Sequence, residues 1–179
     1  MARSCLEQAE ALLQSGVDLF LLETFSDVAE MRAALAAVRS VMDLPVVALM
    51  TFAEDGTVAS GEDPLAVTQV LQEAGADVVG VKCVSGSSSM FDVVAAMCQA
   101  AVERPFIAVQ PNAGLPERIG NRCMYIATPE HFAVYARRFL DIGVRLIGGC
   151  CGTTPHHIAA MKKSLLEFAP VTLQVSDAQ

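Results

Sequence analysis

GADVVGVKC, residues 75–83, compresses a helix end, a buried strand and a reactive side chain into nine positions. The leading glycine follows a helical pattern, as a residue just past a helix C-terminus does. A short, nearly continuous apolar run comes next and closes on a cysteine. GVDLFLLET (16–24) and GVRLIGGCC (143–151) repeat the arrangement. Two more runs, PVVALMT (45–51) and PFIAVQPN (105–112), open on proline. Proline is tolerated at the first residue of a strand. None of the five alternates polar with apolar, which is how strands covered on both faces read. Helical patterns fill the gaps: SCLEQAEALLQS before the first run, then DVAEMRAALAAVRSV, DPLAVTQVLQEAG, SSSMFDVVAAMCQAAVE, TPEHFAVYARRFLDIG and TPHHIAAMKKSLLEF. Asp27 and Asp63 are placed to cap their helices, the second with Pro64 in the first turn. The order is a helix followed by five βα units of about 30 residues each, an arrangement that predicts a parallel sheet.

The composition agrees with a folded α/β domain. The chain has 179 residues, 53% apolar and 18% charged, ample for a core and too poor in charge for a disordered segment. A formal net charge of -8 with no basic block argues against a nucleic-acid partner, which needs clustered lysine and arginine. No apolar run approaches the roughly 18 residues of a membrane span. The first helix carries Glu7 and Glu10 and does not read as a secretory signal. Six cysteines in such a chain predict reduced thiols and a cytoplasmic location. Residues 1–170 form the expected domain, and 171–179 a tail.

Five βα units fit either an open doubly wound sheet or an arc of a (β/α)8 barrel. The strand ends favour the barrel. The runs finish at Glu23, Thr51, Cys83, Asn112 and the pair Cys150–Cys151, each able to bind or react. A barrel collects its active site from the C-terminal ends of several strands. A closed barrel takes eight strands and about 250 residues, so three strands are lacking. The expected fold is the C-terminal five units, strands four to eight, of an incomplete barrel.

Three of these strand-end residues are cysteines, and a catalytic zinc typically takes three protein ligands. Neighbours in a regular strand point to opposite faces. Cys150 and Cys151 share one ion only if the backbone turns sharply, which Gly148, Gly149 and Gly152 would permit. Cys83 would complete the set. Zinc with three thiolates carries a formal charge of about -1 and is a poor electrophile, yet a thiol that joins it is held deprotonated. Alkyl transfer to sulfur is the reaction such a centre suits. A rival reading makes GGCCGTTP an anion cradle at the start of the last helix in a phosphate-binding barrel enzyme. Cys5, Cys98 and Cys123 read as core residues, and His156 and His157 as exposed helix positions.

GVRLIGGCCGTTPHHI, the upstream GVKC, DLFLLETF and QPNAGLP together resemble the zinc-dependent homocysteine S-methyltransferases, in the same order and over nearly the whole chain. The likeness is greatest to the homocysteine-binding domains of bacterial bifunctional proteins fused to a methylenetetrahydrofolate reductase and of cobalamin-dependent methionine synthase. The resemblance implies a (β/α)8 barrel with zinc on Cys83, Cys150 and Cys151. It implies that Glu23 contacts the amino group of homocysteine and that Asn112 lies at the mouth of the site. Methyltetrahydrofolate, methylcobalamin or S-methylmethionine would supply the methyl group. One departure stands out: the family's acidic, glycine-containing segment near its first strand has no counterpart. The chain therefore reads as a fragment, a split enzyme or a mis-started gene, with a missing N-terminal half-barrel or a fused reductase domain as partner. The alternative is a truncated, non-catalytic assembly module that buries its open sheet edges against another chain.

Overall fold

The computed structural model describes residues 2–83, 86–101 and 106–167. Its elements in chain order are α1 (Ala2–Gln14), β1 (Phe20–Phe25), α2 (Val28–Arg39), β2 (Val46–Met50), α3 (Pro64–Glu73), β3 (Val78–Lys82), α4 (Gly86–Ala100), β4 (Phe106–Gln110), β5 (Glu117–Ile119), β6 (Arg122–Met124), α5 (Pro129–Asp141), β7 (Leu146–Ile147) and α6 (Pro155–Glu167). The expected tail lies outside the described residues.

Five strands form one parallel sheet in the order β1-β2-β3-β4-β7. Each strand pairs with the next one of the βα series. A doubly wound sheet reverses its strand order at a switch point, and none occurs here. The sheet is an arc of a (β/α)8 barrel, with all five strand C-termini on one rim. β5 and β6, an antiparallel hairpin between β4 and α5, are an addition that the sequence reading did not foresee.

The helices begin where the sequence places their caps. The Asp27 carboxylate accepts from the Glu30 amide at 2.9 Å, and that of Asp63 from the Ala66 amide at 2.8 Å. Thr128, which the sequence reading did not single out, caps α5 through its hydroxyl oxygen, which accepts from the His131 amide. Along α2, Val28, Met31, Leu35 and Val38 are buried at helical spacing. They pack on the outer face of the sheet, against Phe20, Val46, Ala48 and Met50. The alternate residues Val47, Leu49 and Ala108 form a separate, smaller cluster on the inner face. Gly80 lies on that inner face. A Cβ there would sit 2.1 Å from the Ala108 carbonyl oxygen, so the close approach of β3 and β4 requires glycine.

The two open edges of the sheet differ in length. β1 presents six residues, but β7 keeps regular register with β4 over only two. On the inner face Leu21, Phe106 and Leu146 are 41–47% exposed, a concave apolar surface that further strands of a closed barrel would cover.

Candidate metal centre

Among the described residues, two non-glycine positions have left-handed backbone, and both stand where a strand meets the rim. Thr24 has φ +67° and Cys83 φ +62°. The left-handed region is uncommon for any side chain and a genuine outlier for a β-branched one. At Thr24 it coincides with a shift of register between Glu23 and Phe25. Such a bulge bends the strand and re-aims its side chains. At Cys83 the chain turns as soon as the strand ends, while its amide still donates to the Gln110 carbonyl at 3.2 Å.

The second arm of the site follows β7. The Gly148 amide donates to Val109 O at 2.9 Å and the Cys150 amide to Pro111 O at 2.8 Å, while the Cys151 carbonyl accepts from Ala113 N at 2.8 Å. The cysteine pair is thus clasped by the segment after β4. Of the three glycines expected to permit the turn, only Gly152 uses the left-handed region, at φ +77°. Gly149 is needed for room instead, since a Cβ there would lie 2.7 Å from Thr153 Oγ1. Gly152 passes under the ring of Tyr125, whose Cγ a Cβ would approach to 2.2 Å.

The outcome is that adjacent cysteines point the same way. Cys150 Sγ lies 3.5 Å from Cys151 Sγ, which lies 3.7 Å from Cys83 Sγ. All three sulfurs fall within 4.8 Å of one another. With metal–sulfur bonds of about 2.3 Å, tetrahedral ligands stand about 3.8 Å apart. The set fits a metal ion of that kind. Its electrostatics fit as well. Burial, reinforced by the bond with Cys151, pushes the Cys150 thiol up to about 12. Burial also raises Cys83. Cys151 moves down, because bonds from Cys150 and Cys83 stabilise its thiolate and the Lys82 ammonium adds to that. Three neighbouring sulfurs cannot all ionise without a cation; a coordinated metal deprotonates its thiols outright.

The other candidates stand around this rim. Asn112 is buried, and its side-chain oxygen accepts from the Gly114 amide at 3.2 Å. It shapes the same segment that clasps the cysteines. The Thr51 hydroxyl donates to the Lys82 carbonyl at 3.0 Å, tying the ends of β2 and β3 together. Glu23 forms an ion pair with Lys82. Sequence reasoning passed over Lys82. Its signal was a charge in a strand of otherwise apolar side chains, on the inward parity of Val78 and Gly80.

His156 is exposed as expected, but His157 is buried, which corrects that expectation. Its Nδ1 accepts from the Thr154 amide at 3.1 Å and its Nε2 donates to Ala127 O at 3.0 Å. It caps α6 rather than ligating. Cys5 and Cys98 are half-buried and not bonded to another cysteine. The side chain of Cys123 lies outside the described residues.

The chain resembles known proteins in sequence and in fold. The chain is 31% identical over 176 residues to the methionine synthase of Mycobacterium tuberculosis, which covers 95% of this chain and 15% of that protein. It is 32% identical over 158 residues to the methionine synthase of Mycobacterium leprae, or 85% and 13% of the two. The chain therefore spans only a small part of the length of the curated relatives it matches. Among solved structures, the apo form of the homocysteine methyltransferase MmuM from Escherichia coli aligns with a TM-score of 0.71 at 23% identity, over 91% of this chain and 57% of that one. Its metallated form aligns at 0.72 and 22% identity. At such identities the likeness shows the fold. The family model for homocysteine S-methyltransferase matches residues 1–165, and the chain belongs to that family.

Proposed function

We propose that this chain carries the thiol-binding half of an enzyme that transfers a methyl group to homocysteine and yields methionine. The observation that carries the reading is the convergence of Cys83, Cys150 and Cys151 within 4.8 Å of one another on the rim of the barrel arc. We infer that the ion they hold is zinc, which suits a set of three thiolates with one position left open. When bound, zinc supplies a site where an added thiol is kept deprotonated and nucleophilic at neutral pH.

The residues of the chain divide the remaining work. The segment after β4 fixes the direction of the cysteine pair, and the left-handed turn at Cys83 brings the third sulfur to it. Glu23, on the same rim, offers its carboxylate to the amino group of homocysteine. The substrate sulfur then attacks the donor methyl carbon in line. A carbon–sulfur bond forms as the bond from carbon to the donor breaks, and the donor keeps that electron pair. Methyltetrahydrofolate, methylcobalamin and S-methylmethionine are the donors to compare. The exposed inner-face residues Leu21, Phe106 and Leu146 support a partner for the sheet edges, an N-terminal half-barrel supplied in cis or in trans. Free thiols support a reducing compartment, the cytoplasm. No described helix is long and apolar enough to cross a membrane.

An anion cradle at 148–154 has less support. The amides of Gly148, Cys150, Thr153, Thr154 and His157 are engaged within the chain.

Methionine formation from homocysteine is the test, measured with each donor on the zinc-loaded chain alone and mixed with an N-terminal half-barrel. Formation that needs the three cysteines is expected. Formation that survives their replacement would contradict the reading. The titration of the thiols gives a second check. Near neutral pH Cys83 and Cys150 both hold their protons, so metal binding must release at least two. Calorimetry in buffers of different ionisation enthalpy is expected to count them. Affinity is expected to rise about a hundredfold per pH unit in that range. Binding that is flat with pH would show that the thiols are not the ligands.

A further inference from the structure

Lys82 and Glu23 are on the inner face, two strands apart, with the apolar β2 between them. In register, Glu23 stands opposite Leu49, and Leu49 opposite Gly80. The Lys82 side chain is only 14% exposed, and its ammonium reaches across to the Glu23 carboxylate. The Glu23 carboxylate stays 41% exposed, so the cost of leaving water falls mainly on the Lys82 ammonium, and an apolar residue of similar size often serves stability as well or better in such a place. The inner-face residues Val47, Leu49 and Ala108 are apolar, and Gln110, opposite Lys82 in register, carries no charge, so packing alone gives no reason for the pair. The pair also stands next to Cys83, at the site of the metal centre.

An α-amino acid is a zwitterion with one ammonium and one carboxylate. Glu23 and Lys82 are its complement. If the amino group of the substrate takes the Glu23 carboxylate, Lys82 loses its counter-ion in a place where an unpaired charge is costly. The carboxylate of the same substrate replaces it. One internal ion pair opens into two intermolecular ones, and no charge is left alone. We propose that Lys82 binds the α-carboxylate of the substrate and so selects a thiol carrying a complete amino-acid head group. The proposal rests on the reading of Glu23 and of the three cysteines given above.

The test uses the chain loaded with Co2+, whose absorption bands report thiolate coordination independently of turnover. Homocysteine is compared with 3-aminopropane-1-thiol, which keeps the thiol and the ammonium but lacks the carboxylate. Lys82→Gln is expected to weaken homocysteine binding by about tenfold to a hundredfold, the range for a charge-assisted hydrogen bond. It is expected to leave the aminothiol unchanged or bound more tightly, since Glu23 is freed. Lys82→Arg is expected to recover most of the homocysteine affinity. Equal weakening of both ligands, no weakening of either, or loss of the cobalt spectrum in Lys82→Gln before any thiol is added would each overturn the proposal. A wild-type cobalt spectrum that responds to neither thiol would overturn the reading of the metal centre, and this proposal with it. Wild-type binding without the ligand-dependent difference overturns the role of Lys82 alone.

Discussion

Replacement of Cys150 and Cys151 together by serine is expected to abolish metal binding. The wild-type chain should hold one zinc; the double variant should hold none after dialysis, with affinity lower by more than about a thousandfold. The expectation follows from the sulfur geometry. The 3.5 Å and 3.7 Å separations leave one place where an ion meets all three sulfurs, and removal of two leaves only Cys83. A hydroxyl near neutral pH does not substitute for a thiolate. Cys83→Ser is expected to act in the same direction, because the third ligand comes from a different strand and has no neighbour to replace it. Metal analysis of the purified variants, with circular dichroism to confirm the fold, decides the matter. A full zinc complement in the double variant would contradict the assignment.

The second large effect is expected at a residue that touches no ion. Gly152→Ala places a Cβ 2.2 Å from Tyr125 Cγ, on a backbone with φ +77°. The left-handed conformation costs about 1–2 kcal/mol with a side chain, and overpacking adds about 1–3 kcal/mol. A loss of roughly 3 kcal/mol in urea denaturation is expected. Cys151 precedes this residue directly, so the loop cannot relax without moving a ligand, and zinc affinity should fall with stability. The double variant Gly152→Ala with Tyr125→Ala should bind zinc better than Gly152→Ala, because the ring no longer stands in the way. Gly152→Ala with wild-type stability and zinc affinity would show that the loop is not held as described.

Much of this was legible in the residues. The five apolar runs became the five strands because strands covered on both faces need no polar alternation. Parallel order then puts every strand end on one rim, so Cys83 and the Cys150–Cys151 pair were bound to share a face although 67 positions separate Cys83 from Cys150. The caps at Asp27 and Asp63 are local bonds over three residues, which spacing reveals directly.

What escaped depended on distant contacts or on weak local signals. His157 reads as an exposed helix position until Ala127, 30 residues upstream, receives its ring N–H. The part played by Gly149 depends on the position of Thr153, and that of Gly152 on the ring of Tyr125. The ion pair of Lys82 with Glu23 spans two strand spacings and needs the register of both. The β5–β6 hairpin rests on two three-residue strands around Gly120 and Asn121. The Gly-Asn pair was its signal, but the flanking runs are too short to read as strands.

X-ray absorption at the zinc edge tests the central claim most directly. In the zinc-loaded chain the account predicts three sulfur neighbours at about 2.3 Å and one lighter atom. Addition of homocysteine should exchange the lighter atom for a fourth sulfur. A first coordination sphere dominated by nitrogen or oxygen, or one that homocysteine leaves unchanged, would contradict it.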